Sequence, residues 1–391
     1  MLPAGGILTV NSGSSSLKLA VYSNDDELTP RFRISVERIG QPGSRLTAAS
    51  PQDAVSKTAS LDATDHRTAL VAAVDYARRS FDFTVEAIGH RVVHGGATHA
   101  APELITQALL ADLRRLAAID PTHMPQAIET IQTMAREYPA VAQVACFDTA
   151  FHRTMPAVAQ RYALPRWTVE AGVRRYGFHG LSCEFVLHAL ERLDPATMRS
   201  RMLIAHLGNG ASITAVHRGT SADTTMGFSP TGGLMMGTRC GDLDPTVLTY
   251  IAEARHDDVD ALRRLVNSES GLLGVSELSA DMRDLLTALN SPAAEEAIEL
   301  FCYTARKHIG ALAAVLDGID TLVFTGGIGE HAPTVRDRIC RGLRHLGVQL
   351  DARRNDANED VISSAGSRVT VRVIVTDEDL MIARHVRRMI G

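Results

Sequence analysis

Residues 7–22 read ILTVNSGSSSLKLAVY: two short apolar strands joined by a turn of Asn11, Gly13 and four serines, with Lys18 just beyond. A turn this small and polar lets backbone N–H groups, the hydroxyls of Ser14 and Ser16 and the Lys18 ammonium converge on a phosphate. A second turn of the same design lies at residues 202–216, MLIAHLGNGASITAV, where Gly208, Asn209 and Gly210 separate two apolar strands. One such hairpin is a common surface loop. Two of them, each opening on an apolar strand, predict a duplicated nucleotide-binding architecture, with phosphoryl transfer as the leading chemistry.

The chain of 391 residues exceeds the size at which a single core keeps growing, so two domains are expected. With 45% hydrophobic and 22% charged residues its composition is that of an ordinary globular enzyme. A net charge of −5 argues against nucleic acid as a partner, because that affinity rests on clustered Lys and Arg. Arg384, Arg387 and Arg388 form only a short basic cluster and read as the solvated face of a helix. The five cysteines are scattered and lack CxxC spacing, as reduced, buried thiols would be. The start MLPAGGILTVNSG shows no signal-peptide pattern, and apolar runs such as Ile309–Leu316 fall far short of the ~20 residues of a membrane span. A soluble, cytoplasmic protein is expected.

Outward from the first hairpin, residues 31–36 (RFRISV) alternate as a half-buried strand should. Residues 40–65, rich in Gly, Pro, Ser and Thr, read as a loop or variable edge. Helical and strand patterns then alternate: helix 66–79, strand 85–88, helix 105–117, helix 125–138 with Pro125 in its first turn, and strand 141–147 ending at Asp148. The second half repeats the alternation. Its hairpin is followed by helices near 245–255, 281–289 and 294–317. Strand 320–325 enters the turn Gly326-Gly327-Ile328-Gly329, a helix near 333–345 follows, and strand 369–376 and helix 378–389 close the chain. This is an α/β protein with two similar halves. The expected division is residues 1–150, joined by the terminal helix 378–391, and residues 151–377.

Several segments carry more unusual residues than packing needs. GHRVVHGG (89–96) places Arg91 after a strand, although an exposed turn arginine fits equally well. CFDTAFHRTMP (146–156) puts Asp148 just past an apolar strand, where ligands gather in open α/β sheets; a turn or N-cap aspartate is the alternative. YGFHGLS (176–182) holds His179, and a lone histidine there is more often structural. MGFSPTGGLMMGTRCGDLDP (226–245) has five glycines in twenty residues, which costs entropy on ordering. Arg239 lies near its end, and Asp244 before Pro245 reads as a helix cap. VIVTDEDL (373–380) places Asp377, Glu378 and Asp379 after a strand, more acids than N-capping needs. Glycine turns, cations for equatorial phosphate oxygens and carboxylates for Mg²⁺ are the parts phosphoryl transfer requires. GxxxxGK[ST] and the protein-kinase motifs are absent, and no GxGxxG opens a helix after the first strand as NAD binding would require.

NSGSSSLK, GHRVVHGG, FDTAFHRTMP, YGFHG, HLGNGAS, DTTMGFSP, LMMGTRCGDLDP, SGLLGVSELSADMRDL, GGIGE and TDEDL occur in the order found in the acetate/propionate kinase family, which this chain resembles. They span most of residues 7–384; only about 23–84 and 346–370 are motif-poor. The resemblance implies the actin, sugar-kinase and Hsp70 fold: two duplicated RNase-H-like domains with the active site in the cleft between them. It also implies reversible, Mg²⁺-dependent phosphorylation of a short carboxylate by ATP, with Mn²⁺ as a substitute ion, and a homodimer. By position, Asn11 and Glu378 lie near the metal. Asp148 is the essential acid, Arg91 contacts the carboxylate, and His179 and Arg239 stabilise the transferring phosphoryl. Ser14, Ser16, Lys18, His206, Leu207, Gly208, Asn209 and Gly210 hold phosphates. Asp281, Met282, Arg283, Gly327, Ile328, Gly329, Glu330 and His331 hold the nucleoside. Val93, Thr122, His123, Phe178 and Pro230 surround the acyl group.

The chain departs from the family pattern in places. Thr122 stands where an apolar residue normally precedes the histidine of an LHNPPN-like segment, which opens the acyl preference. YGFHGTSH reads YGFHGLSC, PLEG reads PTGG, and GGIGEN ends in His331, a change at the adenine contacts. The nearest alternative is a kinase for propionate or another short acyl chain. ATP-driven binding proteins of the same superfamily are the alternative from another class, against which the paired Arg91 and Arg239 and the absence of an obvious peptide-binding domain after the nucleotide core argue.

Overall fold

The computed structural model describes residues 5–13, 16–51 and 56–391. The chain divides into two compact units, one of residues 1–150 with 377–391, the other of residues 151–376. The first unit holds a sheet of β1 (Gly5–Ser12), β2 (Ser16–Ser23), β3 (Pro30–Glu37), β4 (Arg45–Ala49), β5 (Lys57–Ser60), β6 (Thr84–Val92), β7 (Glu103–Leu104) and β8 (Ala142–Phe147) in the order β5-β4-β3-β2-β1-β6-β8-β7. β1 runs antiparallel to β2 through the first hairpin and parallel to β6, which runs parallel to β8. Residues 6–11 of β1 are buried, as a central strand covered on both faces requires. The segment expected as loop or edge contributes β4 and β5. β4 forms because Leu46 and Ala48 pair with Val36 and Ile34 of β3 and bury the same face, whereas β5 is exposed throughout.

Helix His66–Ser80 starts at Asp65, whose carboxylate accepts the Thr68 N–H at 2.7 Å, and packs Leu70 and Val74 against Phe32 and Ile34. The terminal helix Glu378–Ile390 lies on β1 and β6. Its close approach depends on Gly89, where a Cβ would lie 2.4 Å from Ile382 Cγ2 and 2.6 Å from Val386 Cγ2. That packing sets where Glu378 sits.

The second unit holds β9 (Arg201–Leu207), β10 (Ala211–His217), β11 (Thr220–Thr224), β12 (Thr321–Thr325) and β13 (Thr370–Val373) in the order β11-β10-β9-β12-β13. β10 runs antiparallel to both β9 and β11, and β9, β12 and β13 run parallel. β3-β2-β1-β6-β8 has this same order and these same senses. The duplication announced by two hairpins therefore extends over five strands of each sheet. Helix Gly180–Leu193, which the sequence reading did not anticipate, packs Val186 and Leu190 on Met202, Ile204 and Val323. The glycine turn at 326–329 is the start of a short helix, Gly326–His331. Gly326 has φ +76°, and a Cβ there would lie 2.8 Å from the Leu207 carbonyl oxygen, so this position requires glycine.

Candidate active site

In the first unit four of the singled-out side chains form one cluster. Arg91 lies near the end of β6, Asp148 one residue past β8, Asn11 near the end of β1, and Glu378 at the start of the terminal helix. Parallel β1, β6 and β8 bring the first three together at the C-terminal ends of these strands. The Asp148 N–H donates to the Val92 carbonyl at 3.0 Å. Arg91 donates from Nε (3.0 Å) and Nη2 (2.5 Å) to Asp148 Oδ2, and from Nη1 (3.3 Å) to Asn11 Oδ1. Asn11 Nδ2 donates to Glu378 Oε2 at 2.9 Å, and that oxygen lies 3.9 Å from Arg91 Nε. The Asp148 side chain is fully buried and that of Arg91 is 15% exposed. Burial works against the Arg91 charge, but the Asp148 and Glu378 carboxylates outweigh it and hold the guanidinium more firmly protonated than usual.

The three consecutive acids have three separate tasks. Asp377 caps the terminal helix, accepting from the Leu380 N–H at 3.0 Å, and receives Tyr22 Oη (3.1 Å) and the Arg33 guanidinium. Asp379 points inward, accepting from Thr9 Oγ1 at 3.3 Å. Burial, with the Asp377 charge next and Glu378 adding, pushes its carboxyl up to about 6 against the pull of Lys18. Glu378, between them, faces Asn11 and Arg91. Lys18 is exposed on β2 opposite Asn11 across the hairpin. The Ser16 carbonyl accepts the Gly13 N–H at 2.8 Å, while Ser14 lies outside the described residues. Val93 is buried just past β6. His123 Nδ1 lies 3.0 and 3.1 Å from the two oxygens of buried Asp120, and Thr122 is exposed beside it.

In the second unit the other residues gather at the tip of the β9–β10 hairpin. His179 has the left-handed backbone φ +59° and opens helix Gly180–Leu193. Its Nδ1 lies 2.9 Å from Ser212 Oγ, and its ring stacks on His206 with centroids 4.2 Å apart. His206 Nδ1 lies 2.8 Å from Ser182 Oγ. Arg239 Nη1 donates to the carbonyl of buried Pro230 at 2.9 Å. A Cβ on Gly210 would stand 3.3 Å from His179 Nε2 and 3.5 Å from Arg239 Nη1, so both side chains converge on one glycine. A Cβ on Gly237 would meet Asn209 Oδ1 at 1.9 Å and the Ala280 carbonyl at 3.1 Å, which draws the Asp281–Arg283 segment to the same tip. Gly327 N would be 3.9 Å from a Cβ on Gly208.

Leu207, Met282 and Phe178 are buried beneath this surface, Ile328 is half-buried, and Gly327 and His331 are exposed. Asp281 caps helix Met282–Thr287 through the Arg283 N–H (2.9 Å) and pairs with the exposed Arg283 guanidinium. Glu330, grouped by sequence with the nucleoside contacts, turns inward. Its Oε1 accepts from the N–H groups of Gly326 (2.8 Å) and Thr376 (3.0 Å) and from Thr325 Oγ1 (3.3 Å). The sequence reading also missed Arg336, which is completely buried. Arg336 donates to the carbonyls of Gly329 (2.8 Å), Glu330 (2.9 Å) and Asn355 (2.7 Å) and to the side-chain oxygens of Asn355 and Asn358. Burial lowers its affinity for the proton to about 10. It fastens the carbonyl end of helix Gly326–His331. No local signal marks it, because its acceptors lie up to 22 residues away.

The model of the Acetokinase family matches residues 6–384. The acetate kinase of Methylocella silvestris is 44% identical, covering 97% of this chain and 96% of that protein; that of Rhodopseudomonas palustris is also 44% identical, covering 98% of each. The crystal structure of Porphyromonas gingivalis acetate kinase superposes with a TM-score of 0.86 at 36% identity, covering 99% of this chain and all of that one. A propionate kinase from Francisella tularensis superposes with a TM-score of 0.90 at 34% identity, covering 98% and 99%. The two-sheet α/β fold is the fold of these kinases.

Proposed function

The chain belongs to the Acetokinase family, and we propose that it transfers the γ-phosphoryl group of ATP directly and in line to the carboxylate of acetate, giving acetyl phosphate and ADP reversibly. It is a kinase, and ATP is its co-substrate. The observation that carries the reading is the Arg91 cluster, in which one guanidinium is fixed by buried Asp148 and faces Asn11 and Glu378. A carboxylate is already ionised at neutral pH, so no general base is needed. The work lies in bringing two anions together and offsetting their repulsion. Arg91 binds the acceptor carboxylate, oriented by Asp148, and Lys18 adds positive charge. His179 and Arg239 receive the negative charge that develops on the equatorial oxygens. The N–H groups of Asn209 and Gly210, in a turn closed by the Gly208 N–H donating to the Gly210 carbonyl at 3.0 Å, hold the donor phosphates, and the Asp281 and Gly326–His331 segments hold the nucleoside.

Mg²⁺ belongs to the proposal. Among the described residues no group of three or more His, Cys, Asp or Glu side chains could hold a metal ion. The donors present nevertheless fit this ion, which keeps most of its waters and takes one or two protein oxygens beside substrate phosphates. Asn11 and Glu378, already 2.9 Å apart, would hold it. Bound there, it would neutralise phosphate charge and align the transferring group. The reading extends to a homodimer, supported by exposed Trp167 and Tyr250, and to a reducing cytoplasmic location, supported by five free cysteines.

Propionate is the second acyl group to consider, since Thr122 is a short residue and a propionate kinase is among the similar structures. Purified protein with ATP, Mg²⁺ and formate, acetate, propionate or butyrate, trapped with hydroxylamine, tests the reading. Acetate should give hydroxamate; product from none of the four would overturn the assignment.

A further inference from the structure

We propose that His152 is a positioning residue that holds His179 in its working conformation. The proposal rests on the role given to His179 above. His152 lies in the turn Ala150–Thr154 and is buried. Its Nε2 is 2.8 Å from the Phe178 carbonyl and its Nδ1 is 3.0 Å from Ser221 Oγ. A carbonyl can only accept, so Nε2 carries the proton and Nδ1 accepts from the serine hydroxyl. One tautomer therefore ties β11 to the peptide immediately before His179. A second tie, from Thr154 Oγ1 to the Ser221 carbonyl at 3.0 Å, fixes the turn itself to β11.

The tied segment is one that does not hold its own shape. Gly177 has φ +77° and His179 has φ +59°, so two left-handed residues flank Phe178. For a histidine that region is sparsely populated and persists only where its surroundings impose it. The surroundings here are the His152 ring. A Cβ on Gly177 would lie 2.5 Å from His152 Cγ and 2.7 Å from Thr224 Cγ2, so the backbone lies flush against the imidazole. With the Phe178 carbonyl fastened on one side and Ser212 Oγ 2.9 Å from Nδ1 on the other, the His179 ring has one seat beside Arg239. Removing the His152 tie deletes no group at the reacting atoms but loosens the seat of one of them.

The test is a double-mutant cycle in the full-length protein, with kcat and the KM for ATP and acetate measured. His152→Ala should lower kcat by about 10–100-fold, the scale of a displacement near 1 Å, and leave both KM values within about twofold. Introduced into His179→Ala, the same change should lower kcat less than about twofold, because it acts through a side chain already removed. His152→Gln, whose amide donates to Phe178 and accepts from Ser221, should recover most of the loss. Ser221→Ala removes only the donor to Nδ1 and should reproduce part of the kcat effect, so the proposal stays testable if His152→Ala does not fold. An equal kcat loss from His152→Ala in both backgrounds, or a loss carried in KM, overturns the positioning role. Full activity in His179→Ala overturns instead the reading of His179 on which this rests.

Discussion

Arg91 and Asp148 allow the catalytic and structural parts of one ion pair to be separated. Arg91→Ala removes the guanidinium that donates twice to Asp148, whose side chain has no exposure at all. Taking one partner from a buried pair costs about 3–5 kcal/mol, because the remaining charge stays desolvated. For a domain of 150–250 residues each kcal/mol moves Tm by about 2–4 °C, so Arg91→Ala should lower the first melting transition by roughly 6–20 °C. Asp148→Asn removes the opposing charge while keeping shape, and the double variant Arg91→Ala/Asp148→Asn should recover at least half of that loss. Its activity should not return. Loss of an arginine that stabilises phosphoryl transfer costs about 10³–10⁵ in kcat. The assays are calorimetry without nucleotide and hydroxamate formation below the transition temperature. A Tm within about 2 °C of wild type for Arg91→Ala, or a double variant less stable than the single, would refute the energetic argument. Recovered turnover in the double variant would refute the catalytic one.

Arg239→Ala should lower kcat by about 10³-fold or more, and Arg239→Lys should restore it only in part, since an ammonium lacks the planar fork; normal kcat with a raised KM would reduce Arg239 to uniform substrate binding. Burial drives the imidazoles of His90 and His152 from 6.5 down to about 4. Each therefore contributes stability that is complete above pH 6.5 and lost as pH falls through about 4, at most about 3 kcal/mol apiece. His90→Gln or His152→Gln should accordingly flatten the decline of Tm between pH 7 and 4.5, and an unchanged slope would exclude these rings as its source. Asp379, pushed from 3.8 up to about 6, acts in the opposite sense, its contribution being complete below 3.8 and lost as pH rises through about 6. Asp379→Asn should then raise Tm at pH 8 in metal-free buffer, and a lower Tm would show that the buried carboxylate is tolerated when charged. Thr122→Leu should shift kcat/KM for propionate over acetate toward acetate by roughly tenfold, whereas a constant ratio would remove Thr122 from the acyl wall.

What could be read from the sequence was what is locally encoded. Both hairpins announce themselves through apolar runs interrupted by Gly, Asn and Ser, and Asp148 through its place after residues 141–147. Those signals need no knowledge of distant partners. β4 and β5 were legible only as an edge, because Leu46 and Ala48 become strand residues through pairing with β3. Helix Gly180–Leu193 escaped notice because it opens on a left-handed histidine, and seven of its residues are buried, which blurs an amphipathic stripe. Within the candidate site, Glu330 shows the limit most clearly. Its motif, GGIGEH, suggests a ligand contact, but its carboxylate is claimed by Thr376, 46 residues on. Arg336, Ser212 and His152 share that character, since each takes its meaning from acceptors or donors the local pattern does not contain.

The terminal helix packs against Gly89 on β6 and carries Glu378 to Asn11. During synthesis this has a directional consequence. Residues 1–150 leave the ribosome early, with an apolar groove over Gly89 and a carboxylate cluster short of one member. The second unit, residues 151–376, is synthesised in between, and residues 377–391 emerge last. Only then can the first unit close, so its groove stays uncovered for the whole translation time of the intervening segment. Chaperone dependence and aggregation of nascent chains should accordingly track the arrival of the last helix, and a chain arrested before residue 377 should be the species that chaperones retain.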